Sequence, residues 1–192
     1  MPKPSENDDW GGLAVGIGDL DGDKVKEIVI TTDSNIFDTG AGQIFLSSTR
    51  VFQKSGSSFV DATKKFLPPV QTDGQGDLFK GVDIAVGDPD GNGVDEIFIL
   101  LDKEVYDLDP DSGTFDRQIS SLRWFTKSKT LPLKNATASQ LPNPELTKDY
   151  YLGHALQLGD LDGDGDLDLV LTTILPSYTG TGGRPTRILE FE

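Results

Sequence analysis

Three short stretches of the chain alternate apolar with small or polar residues, and each runs into a glycine followed by an aspartate. They are Leu13-Ala-Val-Gly-Ile-Gly before Asp19, Gly81-Val-Asp-Ile-Ala-Val-Gly before Asp88, and Gly153-His-Ala-Leu-Gln-Leu-Gly before Asp160. The second and fourth positions ahead of the aspartate are apolar each time, as Ile17 and Val15, Val86 and Ile84, and Leu158 and Leu156. Alternation of period two predicts a β-strand with one buried face. Each acidic stretch is followed by a second apolar run, Ile28-Val-Ile, Ile97-Phe-Ile-Leu or Leu169-Val-Leu. The pattern therefore predicts strand, loop, strand three times over.

The copies are in phase. From Asp19 to Asp88 is 69 residues and from Asp88 to Asp160 is 72, with glycine seven residues before each aspartate (Gly12, Gly81, Gly153) and again just before it (Gly18, Gly87, Gly159). Such spacing marks repeated supersecondary units. Apolar segments between turn signals supply the outer strands of small antiparallel sheets. In the first copy these are Gln43-Ile-Phe-Leu, Thr49-Arg-Val-Phe-Gln and Phe59-Val-Asp-Ala-Thr, and in the second Glu104-Val-Tyr and Gly113-Thr-Phe. In the third, Thr186-Arg-Ile-Leu matches Thr49-Arg-Val-Phe. The predicted fold is all-β, in three repeats of which the last is incomplete, because the 32 residues after Asp160 stop at the equivalent of the third strand. Residues 1–9 read as a flexible lead-in to a repeat region 10–192. The units span about 10–70, 78–125 and 150–192, with a long loop over about 119–148.

Composition supports a turn-rich β protein, with 22 glycines and 11 prolines. Lys plus Arg is 17 against 32 Asp plus Glu, a formal charge of −15, which argues against nucleic acid as a partner. No stretch is apolar for long enough to span a membrane, and the first nine residues lack the apolar core of a signal peptide. A secreted protein would be represented here by a mature form or an excised segment. The chain has no cysteine, so disulfides and thiolate metal sites are excluded. Against the acidic background, residues 117–134 carry Arg117, Arg123, Lys127, Lys129 and Lys134 around Trp124-Phe125. This segment reads either as an outer strand with a long inter-repeat loop or as a basic, aromatic patch that contacts a partner. Asn135-Ala-Thr137 has the form of a glycosylation sequon, a motif short enough to arise by chance.

The three acidic loops have the chemistry of calcium sites. Calcium takes roughly six to eight oxygen ligands at about 2.3–2.6 Å, and alternate residues of a tight loop can point inward while glycines between them relieve the backbone. Numbering each loop from its first aspartate, positions 1, 3, 5, 7 (by its carbonyl) and 9 form the candidate shell. The predicted ligands are Asp19, Asp21, Asp23, Val25 and Glu27 in the first loop, and Asp88, Asp90, Asn92, Val94 and Glu96 in the second. In the third they are Asp160, Asp162, Asp164, Asp166 and Asp168. Crowded carboxylates repel one another without a cation. About three calcium ions, one per repeat, would bring the charge from −15 to −9. An EF-hand would need Glu at position 12, which holds Ile30, Ile99 and Leu171 here. The sites should differ in strength, since Lys24 replaces a glycine in the first and neutral Asn92 weakens the second. The third is complete and should bind most tightly.

With its flanking glycines, Gly-Asp-x-Asp-Gly-Asp-Gly-x-x-Asp resembles the FG-GAP and VCBS repeat of integrin α-chain-type β-propellers, over nearly the whole chain. The resemblance implies blades of four antiparallel strands, calcium in the loop between the first two strands, and a secreted or surface-exposed adhesion or ligand-binding module. The usual Phe before the first glycine is replaced by Gly11, Lys80 and Leu152. Three blades are fewer than the roughly four to eight of closed propellers, which implies a longer propeller or closure by another subunit or copy. The expected function is a non-catalytic, calcium-stabilised module that binds a protein or glycan in an extracellular, cell-surface or periplasmic setting. The alternatives are a structural subunit whose blades another chain completes, and the propeller portion of a secreted hydrolase or polysaccharide lyase. Against an enzyme, the single histidine, His154, occupies a strand position filled by Leu13 and Val82 in the other copies, where packing is expected rather than base catalysis. No Gly-x-Ser-x-Gly elbow is present either.

Overall fold

Each acidic loop joins the first two strands of an antiparallel sheet, as the period-two pattern predicts. In the computed structural model, which describes residues 12–32, 36–38, 43–45, 49–69, 81–101, 105–107, 117–119, 121–127, 129–141, 153–173 and 186–191, this arrangement is built three times. The first sheet begins with β1 (Gly12–Gly18) and β2 (Glu27–Thr32), paired with Ile17 opposite Ile28 and Val15 opposite Ile30. A separate hairpin, β3 (Ile36–Asp38) with β4 (Gln43–Phe45), is inserted before β5 (Thr49–Ser55) and β6 (Ser58–Asp61) complete the order β1-β2-β5-β6. A one-turn helix, α1 (Thr63–Phe66), follows.

The second sheet repeats the plan. After β7 (Gly81–Gly87) and β8 (Glu96–Leu101) comes another inserted hairpin, β9 (Val105–Asp107) with β10 (Arg117–Ile119). Then β11 (Leu122–Thr126), β12 (Lys134–Asn135) and the one-turn helix α2 (Thr137–Gln140) follow. The third sheet is β13 (Gly153–Gly159), β14 (Asp168–Thr173) and β15 (Arg187–Leu189). The chain is thus all-β, with three sequential antiparallel blades of four, four and three strands. Among the described residues the blades run in series without closing into a ring.

Blade 2 differs from the expectation. The segment read as an outer strand with a long loop carries two outer strands, the third and fourth, β11 and β12, while Val105-Tyr106 of the candidate strand before it falls in the inserted hairpin. Gly113-Thr-Phe lies outside the described residues. The register settles the equivalence: Phe52 pairs with Ile28, Phe125 with Ile97 and Leu189 with Leu169, so β5, β11 and β15 occupy the same place. A second repeated motif seals the outer edge. The Asp61 carboxylate accepts from the Thr63 amide at 2.9 Å and the Asn135 side-chain carbonyl from the Thr137 amide at 3.1 Å. The Thr63 and Thr137 hydroxyls in turn accept from the amides of Val51 (3.0 Å) and Trp124 (2.9 Å). Asp61-Ala-Thr and Asn135-Ala-Thr are therefore the same cap, which gives Asn135-Ala-Thr137 a structural role.

The blades stack through their inner strands, β1 on β7 and β7 on β13. Two apolar clusters fill the junctions. Between blades 1 and 2 lie Leu20, Val29, Val51, Ile84, Ile97 and Ile99, and between blades 2 and 3 lie Ala85, Phe98, Leu100, Trp124, Leu156 and Leu169. Alternate residues of β8 serve the two clusters, so this strand is buried along its whole length and reads as an unbroken apolar run. The junctions are tight because the strand behind is thin: Val86 sits against Gly16 and Gly18, and Leu158 against Gly87. A β-carbon on Gly18 would also come within 2.6 Å of Asp95 Oδ2. Gly18→Ala is therefore expected to lower stability by about 1–3 kcal/mol. Thermal unfolding of the variant checks this, and an unchanged melting temperature would contradict the packing described.

Candidate metal centres

The loops at 19–27, 88–96 and 160–168 are curled by their own side chains. The Asp19 carboxylate accepts from the amides of Gly22 (2.7 Å), Asp23 (3.1 Å) and Lys24 (2.7 Å). Asp88 accepts from Asn92 (3.0 Å) and Gly93 (2.7 Å), and Asp160 from Gly163 (2.7 Å). Position 5 then accepts from the amide of position 7 in all three loops: Asp23 from Val25, Asn92 from Val94, and Asp164 from Asp166. The curl needs a left-handed backbone at position 6, where φ is 70° at Lys24, 84° at Gly93 and 104° at Gly165. Lys24 adopts a conformation that costs a residue with a β-carbon about 1 kcal/mol or more.

Position 9 separates the loops. In loop 1 the Glu27 side chain is wholly buried, and one of its oxygens accepts from the Leu20 amide at 3.0 Å. In loop 3, Asp168 accepts from the Leu161 amide at 2.9 Å in the same way. In loop 2 the equivalent donor is missing, because position 2 is Pro89 and proline has no N–H. Glu96 instead accepts from Trp124 Nε1 and from the Thr126 hydroxyl, which together engage both of its oxygens.

The geometry gathers two carboxylate clusters among the described residues: Asp19, Asp21 and Glu27 in loop 1, and Asp160, Asp162 and Asp164 in loop 3. Within each, one oxygen per residue lies within 4.8 Å of the others, close enough to share a cation. Asp23 and Asp168 hold the loops outside these groups. Asp88, Asp90 and Glu96 do not converge into a comparable cluster. Val25, Val94 and Asp166 take the expected position 7, where their amides support position 5.

Loop 1 shows the strain of an acidic pocket. Glu27 Oε1 and Asp21 Oδ1 are buried without a hydrogen-bond partner. Burial raises the Glu27 pKa above its ordinary 4.5, and the Asp21 and Asp23 charges push the same way, opposed by the Leu20 amide and the Lys65 charge. Burial likewise raises Asp88, with Asp90 adding to the effect, and raises Glu96 despite its bonds from Thr126 and Trp124. A buried unpaired carboxylate oxygen costs about 1–3 kcal/mol or more, which a bound cation would remove.

A residue outside the motif completes loop 1. Lys65 of α1 places its ammonium 2.9 Å from Asp21 Oδ2 and 3.0 Å from Gln53 Oε1, and 4.5 Å from the Phe66 ring centroid. No local pattern signals this contact, because Lys65 lies 44 residues from Asp21 and arrives only when the fourth strand turns into α1. The loops are also tied to each other. Asp95 Oδ2 accepts from the Asp19 amide at 2.6 Å, while the Asp95 amide donates to the Asp19 carbonyl at 2.8 Å.

Two expectations are overturned. Arg123 and Trp124 do not form a surface patch. Arg123 is buried, and Trp124, 7 % exposed, packs in a triangle of rings with Phe98, tilted against it, and Phe191, edge-on to it, each centroid 5.1 Å away. His154 is exposed rather than packed; it lies at the register shift between Gly153 and Ala155, where the equivalent Val82 packs against the second cluster.

Neither a scan against protein-family models nor a search of curated proteins gives a match for this chain. The site is therefore read from its own residues. Lys65→Met is expected to tighten the hold of the loop 1 cluster on an added divalent cation by about two- to fivefold, the worth of a partly exposed ion pair of up to about 1 kcal/mol. Calorimetric titration measures this, and weaker binding in the variant would show that Lys65 supports the cation instead of competing with it.

Proposed function

We propose that this chain is a non-catalytic, calcium-stabilised repeat module of the FG-GAP/VCBS kind, which presents its blades to a protein or glycan ligand outside the cell. The observation that carries the reading is the pair of buried, unpartnered oxygens on Glu27 and Asp21 at the focus of an acidic cluster, with a matching cluster in loop 3. Buried polar atoms without partners are rare in folded proteins, and on two neighbouring carboxylates a cation would satisfy both oxygens at once. The donors are all oxygen, which selects a hard cation, and the loops are flexible enough in ligand number to favour calcium over magnesium.

On this reading calcium is held in loop 1 by Asp19, Asp21 and Glu27 and in loop 3 by Asp160, Asp162 and Asp164, with position 7 carbonyls such as those of Val25 and Asp166 available to close the shells. Loop 2 is the weakest of the three sites, because Glu96 is committed to Trp124 and Thr126 and Asn92 carries no charge. The metal is structural: it neutralises carboxylates between the first two strands of a blade and so fixes the loops at one end of the sheets. An extracellular, cell-surface or periplasmic setting suits this reading, because calcium modules with dissociation constants of about 10⁻⁴–10⁻³ M work where the ion is that abundant.

Chelator-treated protein unfolded with and without calcium tests this reading. Calcium at about 100 times its dissociation constant is expected to stabilise the fold by about 2.7 kcal/mol per site, seen as a rise in melting temperature that equimolar magnesium does not reproduce. A melting temperature indifferent to calcium would refute it.

A further inference from the structure

We propose that two copies of this chain pack head to tail, the first blade of each covering the third blade of the other, so that six blades close one ring. This inference rests on the strand packing and is independent of the metal.

The same junction is built twice inside the chain. A forward face carries apolar residues at the second and fourth positions before the acidic loop: Ile84 and Val86 in blade 2, Leu156 and Leu158 in blade 3. The blade behind receives them on a glycine next to its loop. Val86 meets Gly18, and a β-carbon on Gly87 would lie 2.8 Å from Leu158 Cδ1. The receiving face of blade 1 also contributes Leu20 and Val51, both wholly buried in the junction.

Each terminal blade holds one half of such a junction. The forward residues of blade 1 are Val15 and Ile17, which are 61 % and 57 % exposed. The receiving glycine of blade 3 is Gly159, beside which a β-carbon would meet nothing within 4 Å. The blade 3 equivalents of Leu20 and Val51 are Leu161 and Ile188, 54 % and 52 % exposed. Four of the seven large apolar side chains left exposed among the described residues thus belong to these two faces. One face has knobs and the other holes, so they complement each other and neither complements itself. That is the condition for a heterologous contact, which closes into a ring when the rotation allows.

Charge points the same way. Position 8 of each loop faces the blade behind: Asp95 bonds to the backbone of Asp19, and Leu167 lies against Gly87. In blade 1 that position is Lys26, which is exposed. A copy seated on blade 3 brings Lys26 toward the exposed cluster of Asp160, Asp162 and Asp164. Closed propellers have about four to eight blades. Two copies of these three sheets supply six, a number within that range.

Size-exclusion chromatography with light scattering on the 192-residue chain should give twice the chain mass of 20.7 kDa. Ile17→Glu should return it to the single-chain mass with its circular dichroism unchanged, because Ile17 is exposed within one copy. The chain has no cysteine, so Ile17→Cys in one preparation and Gly159→Cys in another can be mixed under oxidation. A disulfide between the two, absent from either preparation alone, is expected. A single-chain mass for the unaltered protein would overturn the proposal. So would a ladder of larger species, or cross-linking of Ile17→Cys to itself, which would mean face-to-face pairing.

Discussion

The seating of each inner strand on the glycines of the strand behind it is the constraint on which the other features depend. Val86 can lie against β1 only because Gly16 and Gly18 offer no side chains, and Leu158 reaches β7 at Gly87 for the same reason. Each fully buried Ile, Leu or Phe in these junctions contributes about 1.5–3 kcal/mol, and the close approach is what lets the two clusters exclude water. It also brings neighbouring acidic loops side by side, so that Asp95 can clasp the backbone of Asp19 in both directions. Loop and core are therefore one construction. A change in the shape of loop 1 is felt at the start of β8.

Against that common frame, the middle blade has diverged. Covered on both sides, it places Trp124 and Phe98 in the second junction, and its Glu96 is held by side chains of β11. Pro89 is the origin of the difference, since it removes the amide that engages the position 9 carboxylate in loops 1 and 3. Protein donors thus satisfy in loop 2 what a cation would satisfy in loop 1. In loop 1, Lys65 supplies part of that positive charge from outside the motif, yet Glu27 Oε1 and Asp21 Oδ1 are left over.

The repeat was readable wherever the local pattern and the tertiary environment agree. The inner strands, the loops and the match of Thr186-Arg-Ile-Leu to Thr49-Arg-Val-Phe all fall where alternation and phase place them. Blade 2 misled because β9 and β10 interrupt it, and because Leu122-Arg-Trp-Phe-Thr combines a charge with aromatics in the way a surface patch does. Its burial comes from partners far along the chain, Glu96 and Phe191, which no local window contains. Asp61-Ala-Thr and Asn135-Ala-Thr are too short to stand out as a repeat, and the second reads more readily as a sequon than as the cap its hydrogen bonds show. The ligand sets are legible as types and spacing, whereas their convergence is not: three-dimensional curvature brings oxygens of Asp19, Asp21 and Glu27 within 4.8 Å of one another, while Asp88, Asp90 and Glu96 form no such group of three.

The central claim is that the buried oxygens of loop 1 and the cluster of loop 3 are cation ligands. Anomalous diffraction from crystals grown in calcium tests it most directly. The account predicts a calcium peak about 2.3–2.6 Å from Glu27 Oε1 and Asp21 Oδ1, and a second peak among Asp160, Asp162 and Asp164. Absence of a peak in loop 1, with the Lys65 ammonium still seated on Asp21, would contradict it.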